Sequence, residues 1–187
     1  MEKRKMIWCI FIFLRFTNSG FYGNLAENKP ASQKVTLNMP VLGTYTADRA
    51  VDGVRDTRPF IPYDSCALVD KGVATWWKVD LLQPYMITSV AILARQTMSG
   101  QSADLGIGIG LLTTGPFSTC LTTSGSAGWI NSFATFSCPV PIYGQFVKIT
   151  KNVLNQYMCL CEVEVYGMYY NINVSSCELP VLRMTWT

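Results

Sequence analysis

The stretch that decides the fold reads Thr46-Ala47-Asp48-Arg49-Ala50-Val51-Asp52-Gly53, a polar loop closing on Ser65-Cys66, then Thr75-Trp76-Trp77-Lys78-Val79-Asp80-Leu81. Its first part reads as a short helical turn. Thr46 is placed to cap it, and Gly53 to supply the left-handed position that stops it after about two rounds. Its last part alternates: Trp77, Val79 and Leu81 share one face, Trp76, Lys78 and Asp80 the other. A strand that opens on a tryptophan pair predicts the anchor of a β core. Between turn and strand, Asp52 and Ser65 set oxygen ligands on a loop that Cys66 can tether.

Working outward, strand-like runs follow in dense series. Residues 86–94 are apolar on both faces, as a central strand should be. Residues 105–111 alternate with Gly106, Gly108 and Gly110, and residues 129–136 form another candidate. In 145–150, Val147 and Ile149 share a face opposite Phe146 and Lys148. In 161–167, Val163 and Val165 point inward and Glu162, Glu164 and Tyr166 outward. Earlier, residues 35–42 hold a short strand, 24–33 are a polar entry segment, and 54–75 are a long loop of the kind that is functional or stapled. No stretch keeps a helical period over about three turns. The pattern predicts an all-β protein, an antiparallel β-sandwich.

The chain of 187 residues fits one domain plus ends. Residues 1–19 read as a secretion signal: Lys3, Arg4 and Lys5 precede an apolar run from Met6 to Leu14, with Thr17 and Ser19 at a cleavage site. The run is well short of the roughly 20 residues that span a bilayer, and no later segment is apolar enough. Without that leader, eleven basic and eleven acidic residues balance, and no basic run is left to neutralise a phosphate backbone. Nucleic acid is therefore a poor partner, and a membrane would be met only peripherally, through exposed loop tips. Cys9 leaves with the leader, and Cys66, Cys120, Cys138, Cys159, Cys161 and Cys177 remain, an even number that suits a disulfide framework in an exported chain. Asn173-Val174-Ser175 is a glycosylation sequon. Histidine is absent, which removes the usual general base, the Ser–His and Cys–His arrangements and His-based zinc sites. The Gly106-x-Gly108-x-Gly110 run has the wrong spacing for a dinucleotide fingerprint and no helix after it. These features argue against an enzyme.

Taken together, Asn24-Leu25-Ala26, Lys29-Pro30-Ala31-Ser32-Gln33, Ala50-Val51-Asp52-Gly53, Ser65-Cys66, Trp76-Trp77-Lys78-Val79-Asp80-Leu81 and Leu160-Cys161-Glu162-Val163-Glu164-Val165-Tyr166-Gly167 resemble the fucolectin-type (F-type lectin) family, a branch of the discoidin-like, galactose-binding-like jelly-roll sandwiches. The resemblance spans residues 24–167 and leaves 168–187 as a C-terminal extension. It implies a calcium ion held in loops by the side chains of Asp52, Ser65 and Glu162 and the carbonyls of Arg49, Val54 and Cys161. That donor set suits calcium, which takes about 6–8 oxygens at about 2.3–2.6 Å. The resemblance also implies disulfides Cys66–Cys161 and Cys120–Cys138; Cys159 and Cys177, left over, form a third pair.

The family's fucose pocket uses a histidine and two arginines. Leu68 stands at the histidine position, Arg95 matches the first arginine, and Gln101 falls near the second, with Met98-Ser99 where a vicinal cysteine pair would be. One of three polar contacts is kept. Phe60, Tyr63 and Leu68 offer an apolar loop surface for another ligand. The expected function is a secreted, calcium-stabilised, lectin-like carbohydrate-binding module whose fucose pocket is only partly retained. The alternative is a degenerate F-type domain acting in extracellular protein interaction or adhesion without sugar binding.

Overall fold

The computed structural model describes residues 23–39, 43–58, 65–72, 74–123, 128–151 and 153–169. The leader, the sequon at Asn173, Cys177 and nearly all of the C-terminal extension lie outside the described residues, as do Phe60 and Tyr63. No helix among the described residues is long and apolar enough to cross a membrane.

Two strands of 19 residues each, β5 (Thr75–Leu93) and β8 (Phe133–Lys151), run antiparallel along their length. Their first ladder pairs Trp77 with Ile149 and Val79 with Val147; after a break between Asp80 and Tyr85, a second pairs Ile87 with Ile142 and Val90 with Phe136. Two separate strands were expected where β5 is continuous. The chain bulges at Leu82 (φ 67°) instead of turning, and the Leu82 N–H is taken by the Asp80 carboxylate at 2.8 Å. Pro84, which has no N–H to give a ladder, sits in that irregularity, where it costs the sheet no bond.

Around this pair the chain adds β1 (Ala31–Gln33) against the first half of β5 and β10 (Glu162–Met168) against its second half. β6 (Leu105–Gly110) lies on the end of β8, and β7 (Ser118–Thr122) lies outside β6. The order is β1-β5-β8-β6-β7, with β10 also on β5. Two small ladders complete the set: β2 (Asn38–Met39) with β3 (Gly43–Thr44), and β4 (Ala67–Val69) with β9 (Met158–Leu160). The protein is thus nearly all β, with every ladder antiparallel.

The core is the inward row that the alternation announced. Trp77, Val79, Leu81, Ile107, Ile109, Val147, Ile149, Val163 and Val165 are all buried in one cluster. The Trp77 indole N–H donates to the Ala47 carbonyl at 2.9 Å, which fastens the helical turn onto that core. The turn is one 3-10 turn, Ala47–Ala50, shorter than expected, and the Thr46 hydroxyl makes no capping bond. Gly53 does take the left-handed conformation, at φ 78°.

One expectation is reversed. Glu162 and Glu164 are buried, not outward. The segment after Gly53 covers that face of β10, and the Arg55 guanidinium donates to Glu164 at 2.5 Å. The Tyr166 hydroxyl donates to the other Glu164 oxygen. β10 alternates, yet both of its faces are covered.

Candidate functional site

The site begins with a covalent link. Cys66 and Cys161, 95 residues apart in sequence, form a disulfide, and Cys120 and Cys138 form another between β7 and β8. The first bond joins the approach to β4 to the residue preceding β10, and so fixes Ser65 and Glu162 on either side of one link. The Cys159 sulfur packs against this disulfide, all three sulfurs lying within 4.8 Å of one another. Its proposed partner Cys177 lies outside the described residues.

Glu162 is wholly buried, and among the described residues neither carboxylate oxygen has a hydrogen-bond partner. The Gly53 N–H leans toward it without reaching bonding geometry. Burial first, and then the charge of Asp52, push the Glu162 carboxyl up to about 8. Glu164 and Glu27 add to the same field. Asp52 is exposed; one of its oxygens accepts the Val54 N–H at 2.8 Å, and its own pKa is raised, chiefly by desolvation. Arg49 is the penultimate residue of the 3-10 turn, where the last carbonyls have no partner inside the turn, and its guanidinium lies over the Tyr45 ring. The Ser65 hydroxyl donates to the Asp56 carbonyl at 2.7 Å and keeps lone pairs to offer elsewhere.

A bare buried carboxylate beside a second acid is costly unless a proton or a cation neutralises it. The side chains that the resemblance names, Asp52, Ser65 and Glu162, offer only oxygen, the donor type a hard divalent cation takes, so their chemistry suits such an ion.

The sugar-site positions separate. Leu68 sits in β4 at 3% exposure, packed with Leu37, Tyr45, Cys66 and Leu93 in a second apolar cluster, so its side chain offers nothing to a ligand. Arg95 is 7% exposed, a buried group. Gln101 lines a hollow of about 260 Å³ with Met98, Gly100, Asn155, Gln156 and Tyr157.

The loop carrying Gln101 is held from below. Lys151, 2% exposed, donates to the carbonyls of Gly100 at 2.6 Å and Ala103 at 2.7 Å. The Ser102 hydroxyl donates its one proton to the Trp129 carbonyl at 2.6 Å, with the Ser99 carbonyl also in reach at 2.9 Å, and accepts the Trp129 N–H. Sequence reasoning passed over Lys151 and the 155–157 segment. A signal for Lys151 was present: it has the same parity as Val147 and Ile149, so the alternation sends it inward.

No family model matches the chain. Over 145 residues, covering 76% of this chain and 89% of the relative, it is 34% identical to a fucolectin of Anguilla anguilla. The chain belongs to the fucolectin family. Fucolectin-6 of Anguilla japonica is a further relative, 31% identical over 153 residues and 77% of each chain. Among solved structures, the fold is similar to a fucolectin from the serum of Morone saxatilis, at TM-score 0.65 and 26% identity, covering 81% of this chain and 51% of that one. The chain thus spans about half of the bass lectin. A fucose binding module of Streptococcus pneumoniae shares the fold at TM-score 0.60 and 21% identity, over 79% of this chain and 98% of the module. The fucolectin family is one of lectins, not of enzymes, in keeping with a sequence that has no histidine.

Proposed function

We propose that this fucolectin-family domain is a secreted glycan-binding module that reads sugars with the loop end around Gln101. The observation that carries the reading is the relation to the Anguilla fucolectin over most of both chains. The open hollow at Gln101 supports it with geometry. Contacts to sugar hydroxyls fall to Gln101, Asn155 and Gln156, with Tyr157 as an amphipathic wall, because Leu68 is packed into the core and Arg95 is buried. A site that has exchanged its polar contacts changes its preferred sugar, since each unmatched buried donor or acceptor costs about 1–3 kcal/mol. Terminal fucose is then a weak ligand, and another saccharide the better one. A glycan array on the wild type and on Gln156→Ala tests this. Selective binding that the substitution weakens about tenfold is expected, and an array blank for the wild type overturns the reading.

A second reading, an extracellular adhesion module without sugar binding, draws on two apolar side chains at this end. Met98 lines the hollow, Leu154 precedes its wall, and they are 59% and 65% exposed. A blank array with a protein ligand displaced by Met98→Asp selects it.

We further propose that calcium occupies the cluster at Glu162, held by the side chains of Asp52, Ser65 and Glu162 and the carbonyls of Arg49, Val54 and Cys161. The support is the buried carboxylate without partners and the like charge beside it. The ion supplies positive charge that ties the turn, the long loop and β10 together; the residues themselves give shape to the loops that follow. A chelator is expected to lower the melting temperature and added calcium to restore it, and an unchanged melt overturns the assignment.

A further inference from the structure

The broad sheet carries a second hollow, away from the loop end. The register sets its outward residues in rows: Ser32, Lys78, Lys148, Gly108 and Thr119 across five strands, with Trp76, Thr150, Gly106 and Thr122 beside them. The opposite parity, Val79, Val147, Ile107 and Ile109, is core, so both rows face away from it. β6 gives only glycine to them. The surface therefore drops to backbone between Lys148 and Thr150 on β8 and Thr119 and Thr122 on β7, with Phe117 as a further wall, and a trough of about 200 Å³ results. Glycine is needed on its floor, because a Cβ at Gly108 would stand 2.9 Å from the Phe117 Cβ.

The charge on this face is one-sided. Lys78 and Lys148 lie directly opposite each other in the ladder, a like-charge pairing that works against a sheet. The Lys148 ammonium lies 5.5 Å from the Trp76 ring centre and 5.3 Å from that of Phe117, and among the described residues it meets no carboxylate. The Lys78 ammonium lies over Trp76 and Phe146 and donates to Thr113, at 2.8 Å to the carbonyl and 2.6 Å to the hydroxyl. The acid whose charge reaches Lys78, Asp80, already accepts from Leu82 and Gln145.

Two ammonium groups with no ion pair among the described residues, beside aromatic rings and with three hydroxyls around a backbone floor, complement an anion carried on a polyhydroxylated chain. We infer that this trough binds an acidic saccharide, its carboxylate or sulfate groups on Lys148 and Lys78 and its hydroxyls on Thr119, Thr122 and Thr150. The inference rests on reading the chain as a glycan binder, but it uses a different face. A nucleic acid is disfavoured because outside the leader the basic and acidic residues balance, leaving no wider positive field to hold a phosphate backbone.

The test is calorimetric titration with a hyaluronan hexasaccharide, which carries carboxylates, a heparin hexasaccharide, which adds sulfates, a neutral chitohexaose and the single strand (dT)6. Binding of at least one acidic hexasaccharide is expected, weakened about tenfold or more in Lys148→Gln and further in Lys78→Gln/Lys148→Gln, with the melting temperature not lowered because the like-charge pairing is relieved. The first probe to bind tells carboxylate from sulfate recognition. No binding of either acidic sugar, undiminished binding in the double variant, or equal binding of (dT)6 overturns the trough. Neutral glycans bound at the loop end should be unaffected by Lys148→Gln. A protein that binds those and no acidic hexasaccharide overturns the trough alone. One that binds an acidic hexasaccharide through Lys148 and nothing at the loop end overturns the loop-end reading and keeps the trough.

Discussion

Glu162 is the residue on which most of the chemistry turns. Its folded carboxyl titrates at about 8, against 4.5 for the group in an open chain, because burial and Asp52 both resist its ionisation. The sign follows from proton counting: between those values the folded metal-free protein holds a proton that the unfolded chain has lost. The stability this group contributes is full below about 4.5 and is lost as pH rises to about 8. A cation competes with that proton, so it restores most where the carboxyl must ionise. In chelator, the melt at pH 8 should therefore fall below that at pH 5, calcium should raise it more at pH 8, and Glu162→Gln should flatten both effects. The sequence pointed to Glu162 as a ligand through family resemblance. It could not show the burial, since Glu162-Val163-Glu164-Val165 alternates identically whether the acid face meets water or a loop from far earlier in the chain. Leu68 failed for a related reason: a single apolar residue after Ser65-Cys66 fits a pocket wall and a core position alike, and packing against Leu37 and Tyr45 decided it.

At the scale of elements, the two disulfides close loops of unequal length, 95 and 18 residues. In the chain-entropy model the first stabilises by about 4.5–5 kcal/mol and the second by about 3 kcal/mol. Urea titration of Cys66→Ala/Cys161→Ala against Cys120→Ala/Cys138→Ala should show the larger loss in the first, and only there a weaker response to calcium. The ligand loop has a support of its own in Lys151. Lys151→Met leaves the Gly100 and Ala103 carbonyls without their donor, at about 1–3 kcal/mol each, and should weaken glycan binding without touching the glycan. Strands with strict alternation were legible: the rows from Trp77 and from Val147 entered the core as read. The three-residue strands β1, β4 and β9 were not, because so few residues establish no period and their pairing partners lie far away in sequence. β5 was read as two pieces because Pro84 interrupts the run, while the bulge at Leu82 and the shared partner β8 that carry the strand through it are not visible in the sequence.

On the scale of the whole molecule, the fold class was the most legible quantity, since it depends on the summed pattern and tolerates errors at single boundaries. What could not be read was how the ends of the molecule divide their work. The Cys66–Cys161 disulfide ties the approach to β4 to the start of β10, Lys151 supports the loop at Gln101, and the glycine strand opens the sheet face. β5 and β8 meanwhile each serve both ladders, first beside β1 and β6 and then beside β10. The two ladders share two continuous backbones and one buried core cluster, so the loss of one removes packing from the other. Heat should therefore take the domain apart in a single cooperative step, with the calorimetric enthalpy equal to the van't Hoff value; two resolved endotherms would show that the bulge at Leu82 acts as a joint between independent halves.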